Sequence, residues 1–541
     1  MAFLPSSHRF ITNNAQSFQS DINLGNPDLI WSYTFGTNSS HDAAYSAIRC
    51  SDGGYLITGS TSVEGTLDVI LIRLNETGEL EWTNIIIRDG AQTAQEAIEC
   101  ESGGYAIIGY TQEQLPNGTL LDFDAYLVRI YTNGSVAWTQ TIGTNASQQA
   151  YSIVECLGGF AFVGYTTNSE RGDLDFWFVR TTDEGEYLWN QTYGSDGNDI
   201  CYSIVYRPVY GEFVLAGSRY NIDSGSQDGW VLNIYYDGSM QWDETFGGTR
   251  NDIFYDIILR AREVLVIVGI TENLLYGGFD AFVLCLHANS SFLWNTTIGG
   301  FYTEEAYSIT WCQSGGYAIT GFIIEQTQLG TKTHLWVARL DSFGNVEWNK
   351  RYGGVGKEIG WSIIQTPNHD FIIAGTTEPN QEDNVGTDIW VISVPDTSPL
   401  PVSPNFELIF LGITIGVIII TLVALIFTRS KRSLRYIETR TSKRQLQKSF
   451  ILPRTIEELT PIISGYKRCR KCGTISDRKE MRCPHCSELL HRCLFCDNPI
   501  SNEDVVIFCP GCRNLSHAHE MLSWLKKRDY CPRCGFKLKK S

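Results

Sequence analysis

The sequence predicts an all-β seven-bladed β-propeller, then one transmembrane helix, then small α+β zinc-binding modules. Three observations predict it. A four-strand pattern recurs about every 50 residues through the first two thirds of the chain. A charge-free apolar run follows it, and pairs of cysteines two residues apart crowd the remainder. The chain has 541 residues, enough for several domains, and 43% of them are hydrophobic, so its bulk buries a core. Charge divides it into two bodies: residues 1–428 hold 17 Lys and Arg against 49 Asp and Glu, and residues 429–541 hold 25 against 11.

Residues 1–27 read as an N-terminal extension, without the basic and apolar regions of a secretory signal. Residues 28–395 carry the repeats. A strand with a central Trp recurs at Trp31, Trp82, Trp138, Trp189, Trp242, Trp294 and Trp348. A Gly in an apolar strand recurs at Gly59, Gly109, Gly164, Gly217, Gly269, Gly321 and Gly375. An acid opens the next strand at Asp68, Asp124, Asp175, Asp228, Asp280 and Asp388, with His334 as the exception. Each unit reads as AYSIV, a Gly-Gly turn, GFAFVGYT, a variable loop, DFWFVRT, an acidic turn and YLWNQTYG. Alternating β-branched and aromatic residues between Gly turns make four strands, the content of a propeller blade.

Landmark order predicts how the ring closes. The first Trp strand precedes any Gly strand, and the last Gly and Asp strands have no Trp strand after them. The strand at Trp31 should therefore complete the seventh blade and remove an open edge. The repeated Trp, Tyr and Gly are expected to pack, and the repeated Asp to accept hydrogen bonds at the turns. Cys50, Cys100, Cys156 and Cys312 share one repeat position, and blade spacing keeps them apart as buried thiols. Ligand recognition is expected in the variable loops, for example LPNGTLLDF, NSERGDL, NIDSGSQ and IEQTQLGTKT. The units resemble the Gly/Trp-type propeller repeats of secreted prokaryotic proteins, which implies a fold and no particular activity.

A Pro-rich linker, 396–407, leads to residues 408–428, LIFLGITIGVIIITLVALIFT. As a helix this run spans about 31 Å, the thickness of a bilayer core. Arg429, Lys431, Arg432 and Arg435 follow it at once, opening a basic juxtamembrane segment, 429–465. The positive-inside rule then puts the propeller outside and the C-terminus in the cytoplasm of a single-pass cell-membrane protein. Eight N-x-Ser/Thr triplets, at Asn38, Asn75, Asn117, Asn133, Asn145, Asn190, Asn289 and Asn295, lie before the run and one, Asn514, after it. Basic charge beside a membrane attracts anionic lipid, so no nucleic-acid partner is expected.

Sixteen cysteines are present, ten of them between residues 469 and 534. In residues 466–490, Cys469-x2-Cys472 and Cys483-x2-Cys486 form a four-thiolate set suited to tetrahedral zinc, and the segment resembles a zinc ribbon. Residues 491–541 continue with Cys493, Cys496, Cys509, Cys512, His517, Cys531 and Cys534. This order resembles the compact prokaryotic RING finger, supported by Trp524 seven residues from both His517 and Cys531. The resemblance implies two cross-braced sites and three Zn2+ in all. One takes Cys493, Cys496, His517 and a fourth ligand, the other Cys509, Cys512, Cys531 and Cys534. Glu520 stands where the family has Cys or His, and either His519 beside it or Glu520 itself, through oxygen, completes the site. The resemblance also implies that Phe495, Trp524 and Pro532 dock a ubiquitin-conjugating enzyme, carrying ubiquitin or a ubiquitin-like protein, in the cytosol. Gly535 replaces the basic residue expected after the last cysteine. Two functions follow: a membrane receptor with an unknown outer ligand and a RING-type ligase module, or a non-enzymatic receptor or adhesion protein whose zinc modules are scaffolds. No catalytic residue is nominated.

Overall fold

The computed structural model describes residues 28–398 apart from residues 37–40, 64, 115–118, 145, 169, 261–262, 274–277, 328–329, 355 and 379–385, and also Arg9–Ile11, Tyr466–Arg468, Ile475–Asp477, Val506–Phe508 and Leu515–His517. The chain divides into two compact units, Met1–Leu408 and Ile409–Ser541.

The first unit is a seven-bladed β-propeller. Each blade is an antiparallel four-stranded sheet laid down from the axis outwards. The inner strands are Ala43–Arg49, Ala91–Glu99, Gln148–Cys156, Ile200–Arg207, Asp252–Arg260, Thr303–Trp311 and Glu358–Gln365. Each packs against the next around a closed circle. The seventh blade closes as the landmark order predicts. Trp31–Phe35 pairs antiparallel with Asp388–Val394, from Trp31 opposite Ser393 to Phe35 opposite Ile389. The extension adds a strand that the repeats do not announce. Arg9–Ile11 pairs with Ile85–Ile87 at the outer edge of blade 1, giving that blade five strands. The apolar core lies between blades. One of its clusters joins Leu56, Val69 and Leu71 of blade 1 to Ala94, Tyr105, Ile107, Tyr126 and Val128 of blade 2.

Each sequence landmark has a contact that explains it. The outer-strand Trp reaches the Gly in the last turn of the next blade. A Cβ at Gly134 would sit 2.7 Å from the ring of Trp82, and one at Gly185 2.4 Å from that of Trp138. Both glycines also hold positive φ, 80° and 78°, so conformation and space exclude a side chain there together. Within its own blade the same Trp lies opposite the residue before the end of the third strand, as in Arg73↔Trp82, Arg180↔Trp189 and Arg339↔Trp348. Those arginines are almost fully buried and tie down the first turn of their blade. Arg180, for example, donates to the carbonyls of Phe160 and Leu157.

The repeated Gly of the second strand and the aromatic of AYS are one device. All seven inner strands carry a β-bulge at that residue: Tyr45, Gln95, Tyr151, Tyr202, Tyr255, Tyr307 and Trp361. A bulge re-aims the side chain it inserts. It also drives a carbonyl against the partner strand. A Cβ at Gly59 would lie 1.8 Å from the Ala43 oxygen, and the other six glycines meet the equivalent oxygen at 1.8–2.0 Å.

The residue after the bulge fastens each blade to the next. Its side-chain oxygen accepts an N–H from the following inner strand: Ser46 from Ala97, Glu96 from Ile153, Ser152 from Ile204, Ser203 from Ile257, Asp256 from Ile309, Ser308 from Ile363 and Ser362 from Ala47. The last bond returns to blade 1, so the circle is closed by hydrogen bonds as well as by the strand at Trp31. Cys50, Cys100, Cys156 and Cys312 are buried free thiols, as their spacing requires.

Candidate functional site: the loop face and its aromatic mouth

Antiparallel order gives the propeller two unlike faces. The chain leaves after Val394 on the face formed by the turns between first and second strands and between third and outer strands. The variable segments and the blade-to-blade connections lie on the opposite, loop face. Several segments read as loops are extended hairpins. In blade 6 the pairing runs out to Thr327↔Gly330, and in blade 4 to Asn221↔Ser226.

The bulged aromatics meet in the loop-face part of the channel, as the third to fifth residues of inner strands that start on that face. Going round, Tyr45 is 5.9 Å from Trp361, Trp361 is stacked 4.5 Å from Tyr307, and Tyr307 is 5.0 Å from Tyr255. Tyr255 is 5.1 Å from Tyr202, which stacks 5.4 Å from Tyr151. Blade 2 breaks the series with Gln95, and Tyr110 from its second strand approaches Tyr151 at 6.5 Å instead. Tyr165, Phe322 and Phe123 back this ring. The seven bulge residues are half-buried, so solvent reaches them. Burial raises the pKa of all six phenols, which keeps them neutral.

Carboxyl groups lie beside the ring and one step past it. Glu305 accepts the Tyr307 hydroxyl at 2.7 Å, and burial raises its pKa. Glu96 and Asp256 lie one residue past the bulge. Burial pushes Glu96 up to about 7, against the N–H of Ile153 that favours its charged form. The basic residues of the inner strands, Arg49, Arg207 and Arg260, stand at the opposite end, where Glu99 and Glu155 also lie.

Around the mouth the repeated acids meet in pairs. Across the Gly that follows three of the outer strands, a third-strand acid faces an acid that opens the next inner strand: Asp175 with Asp199 at Gly194, Asp228 with Asp252 at Gly247, Asp388 with Asp42 at Gly36. Between blades 6 and 7 His334 and Glu358 lie 3.7 Å apart. These groups hold loops, as expected for turn acceptors. Asn168, Asn221 and Asn273 donate to Asp175, Asp228 and Asp280, and the Ser195 N–H donates to Asp199 at 2.7 Å. Gln148 accepts the Thr144 N–H at 3.0 Å in the same way without a charge. Among the described residues no group of three or more His, Cys, Asp or Glu is disposed to hold a metal. A cleft of ≈ 490 Å³ lies between blades 4 and 5 on this face, lined in part by Arg250, Asp252 and Glu272.

The sequence pattern flagged the AYS aromatic only as a strand marker. Its site-forming role was missed because a bulge is not visible in a period-two pattern. The available signal was an aromatic-Ser pair opposite a strand Gly, repeated blade after blade.

The apolar run 408–428 lies outside the described residues, and no described helix is long and apolar enough to cross a membrane. Cys469, Cys472, Cys483, Cys486, Cys493, Cys496, Cys509, Cys512, His519, Cys531, Cys534, Phe495, Trp524 and Pro532 also lie outside them. His517 ends a strand whose backbone alone is described. Two short hairpins are seen in the second unit. Tyr466–Arg468 pairs with Ile475–Asp477, and Val506–Phe508 with Leu515–His517.

No family model and no curated protein matches the chain. Solved structures similar to it include Sqt1 from Chaetomium thermophilum, 10% identical over 63% of this chain and 81% of that one, with a TM-score of 0.36. Sqt1 bound to the N-terminus of the ribosomal protein L10 gives 10% identity over 66% and 97%, at a TM-score of 0.36. A provisionally assigned 6-phosphogluconolactonase from Bacteroides uniformis gives 10% over 66% and 98%, at 0.39. These are distant likenesses of fold.

Proposed function

We propose that the chain is a single-pass membrane receptor. Its propeller binds a ligand on the loop face outside the cell, and its cytosolic zinc modules recruit a ubiquitin-conjugating enzyme. One observation carries the recognition half: the aromatic mouth and the variable hairpin tips share one face, and the chain departs towards residue 408 from the other. A rigid scaffold presenting variable tips is the usual setting of a binding site. The described residues offer no nucleophile–base pair in that mouth to suggest chemistry.

The cytosolic half rests on ligand spacing, and the hairpins are consistent with it. Residues 469–474 join the strands of the first hairpin and contain Cys469 and Cys472, while residues 509–514 join those of the second and contain Cys509 and Cys512. A C-x2-C pair between two strands is the arrangement of a zinc knuckle. The thiolate sets fit Zn2+, which would supply folding energy there and no reaction step. Each purified chain should carry three zinc ions, and two would mean that the site of His517 and His519 or Glu520 is empty.

The second reading keeps the receptor and drops the ligase. Glu520 and Gly535 at family ligand and basic positions favour it. The full chain in detergent, supplied with ubiquitin, activating enzyme and conjugating enzymes, separates the two. Chain formation lost at least tenfold in Trp524→Ala, with zinc content unchanged, supports the ligase. No chains with cognate enzymes leaves the scaffold.

A further inference from the structure

We propose that the loop-face mouth of the channel binds a small organic cation: an alkylated ammonium head with a neighbouring oxygen acceptor. This rests on reading the loop face as the recognition face and names the chemistry it takes.

Four observations point to this ligand. The mouth is a near-continuous ring of six aromatic bulge residues, half-buried and held by mutual contacts of 4.5–5.9 Å. Electron-rich rings attract alkylated ammonium groups, and partial desolvation strengthens that attraction. The carboxyl group in contact with the ring is Glu305, which accepts the Tyr307 hydroxyl, while the inner-strand arginines stand at the far end. A carboxyl group beside the rings with no base next to it favours a cation over a phosphate. Two phenols have their hydrogens engaged, Tyr307 on Glu305 and Tyr151 on Gln149 at 2.9 Å, so each turns only acceptor lone pairs to a visitor. Finally, the indole N–H of Trp361 is buried without a hydrogen-bond partner. An orphaned buried donor carries a penalty of about 1–3 kcal/mol and calls for a partner. A hydroxyl or carbonyl next to the ammonium would supply it.

Gln95 gives the ring an entrance. It replaces the aromatic in one blade and is held weakly, by a 3.4 Å contact with Thr93. A ring closed by seven large aromatics would only plug the axis, whereas one short polar position leaves a side open.

The test is calorimetric titration of the full chain in detergent with choline, tetramethylammonium and 3,3-dimethyl-1-butanol, the neutral isostere of choline. Choline should bind, tetramethylammonium several-fold more weakly for want of the oxygen, and the neutral isostere at least tenfold more weakly. Glu305→Gln, which keeps an acceptor for Tyr307, should weaken choline about tenfold. Trp361→Phe should reduce it to the level of tetramethylammonium. Trp82→Phe, on the outer strand, should leave binding unchanged and reports that the fold is intact. Equal binding of the neutral isostere, competition by inorganic phosphate, or no heat with choline would each overturn the proposal. If choline fails while hairpin-tip variants still abolish capture of a partner, the cation is wrong and the recognition face stands.

Discussion

At the scale of the residue, glycine and tryptophan do complementary work. Gly134 has φ of 80° and a would-be Cβ 2.7 Å from Trp82, whereas Gly65 has φ of 92° and nothing within 4 Å. The pair separates conformational strain from lost space. Gly65→Ala should destabilise the propeller by about 1 kcal/mol, the left-handed penalty alone. Gly134→Ala should lose at least about 2 kcal/mol, because the Trp82 ring must move as well. Urea midpoints of the two variants measure the difference, and equal losses would mean that the Trp–Gly stack contributes no packing. The same scale explains some N-x-Ser/Thr triplets. Asn75, Asn133 and Asn289 each accept the side-chain hydroxyl two residues on, in the turn before the outer strand. Asp237 and its Ser239 do the same in blade 4. Those triplets are turn chemistry first.

At the scale of the element, the junctions between blades make stability depend on pH. Burial pushes Asp124, Asp199, Asp252 and Asp388 up to about 6 and Glu304 and Glu358 up to about 7. In the unfolded chain such groups titrate near 4. The folded state therefore binds more protons between about pH 4 and 7. The contribution of these groups is fully present below pH 4 and declines as pH rises through 6 to 7. The urea midpoint should fall between pH 5 and pH 8, and Asp252→Asn with Glu304→Gln should flatten that fall. A midpoint that rises with pH, equally in wild type and variant, would show that these acids are charged and compensated in the fold. The elements themselves were largely legible beforehand. Strand number, blade number and the role of Trp31 follow from landmarks whose spacing is independent of any contact. The bulges were not legible, since one inserted residue shifts side chains without altering composition. Nor was the strand at Arg9–Ile11, which has no counterpart in the repeats to announce it. The long hairpins of blades 4 and 6 read as loops in the sequence because their residues are polar and lie beyond the apolar core positions.

At the scale of the whole molecule, closure and topology matter most. The strand at Trp31 joins residues some 360 positions apart, so the ring cannot close until the last blade is made. Trp31→Ala removes the side chain that packs on Gly78 and should broaden the unfolding transition as blade 7 loosens ahead of the rest. A single sharp transition at the wild-type midpoint would show closure to be carried by the backbone pairing and the Ser–N–H circle. Beyond the ring the account is one of sidedness. The measurement that addresses it most directly is labelling of intact cells with a membrane-impermeant amine reagent, followed by peptide mass spectrometry. Lys357, exposed on the loop face, should be modified in intact cells, and Lys526 and Lys527 only after the cells are opened. Labelling of Lys526 and Lys527 in intact cells, or protection of Lys357 until lysis, would contradict a receptor with its propeller outside.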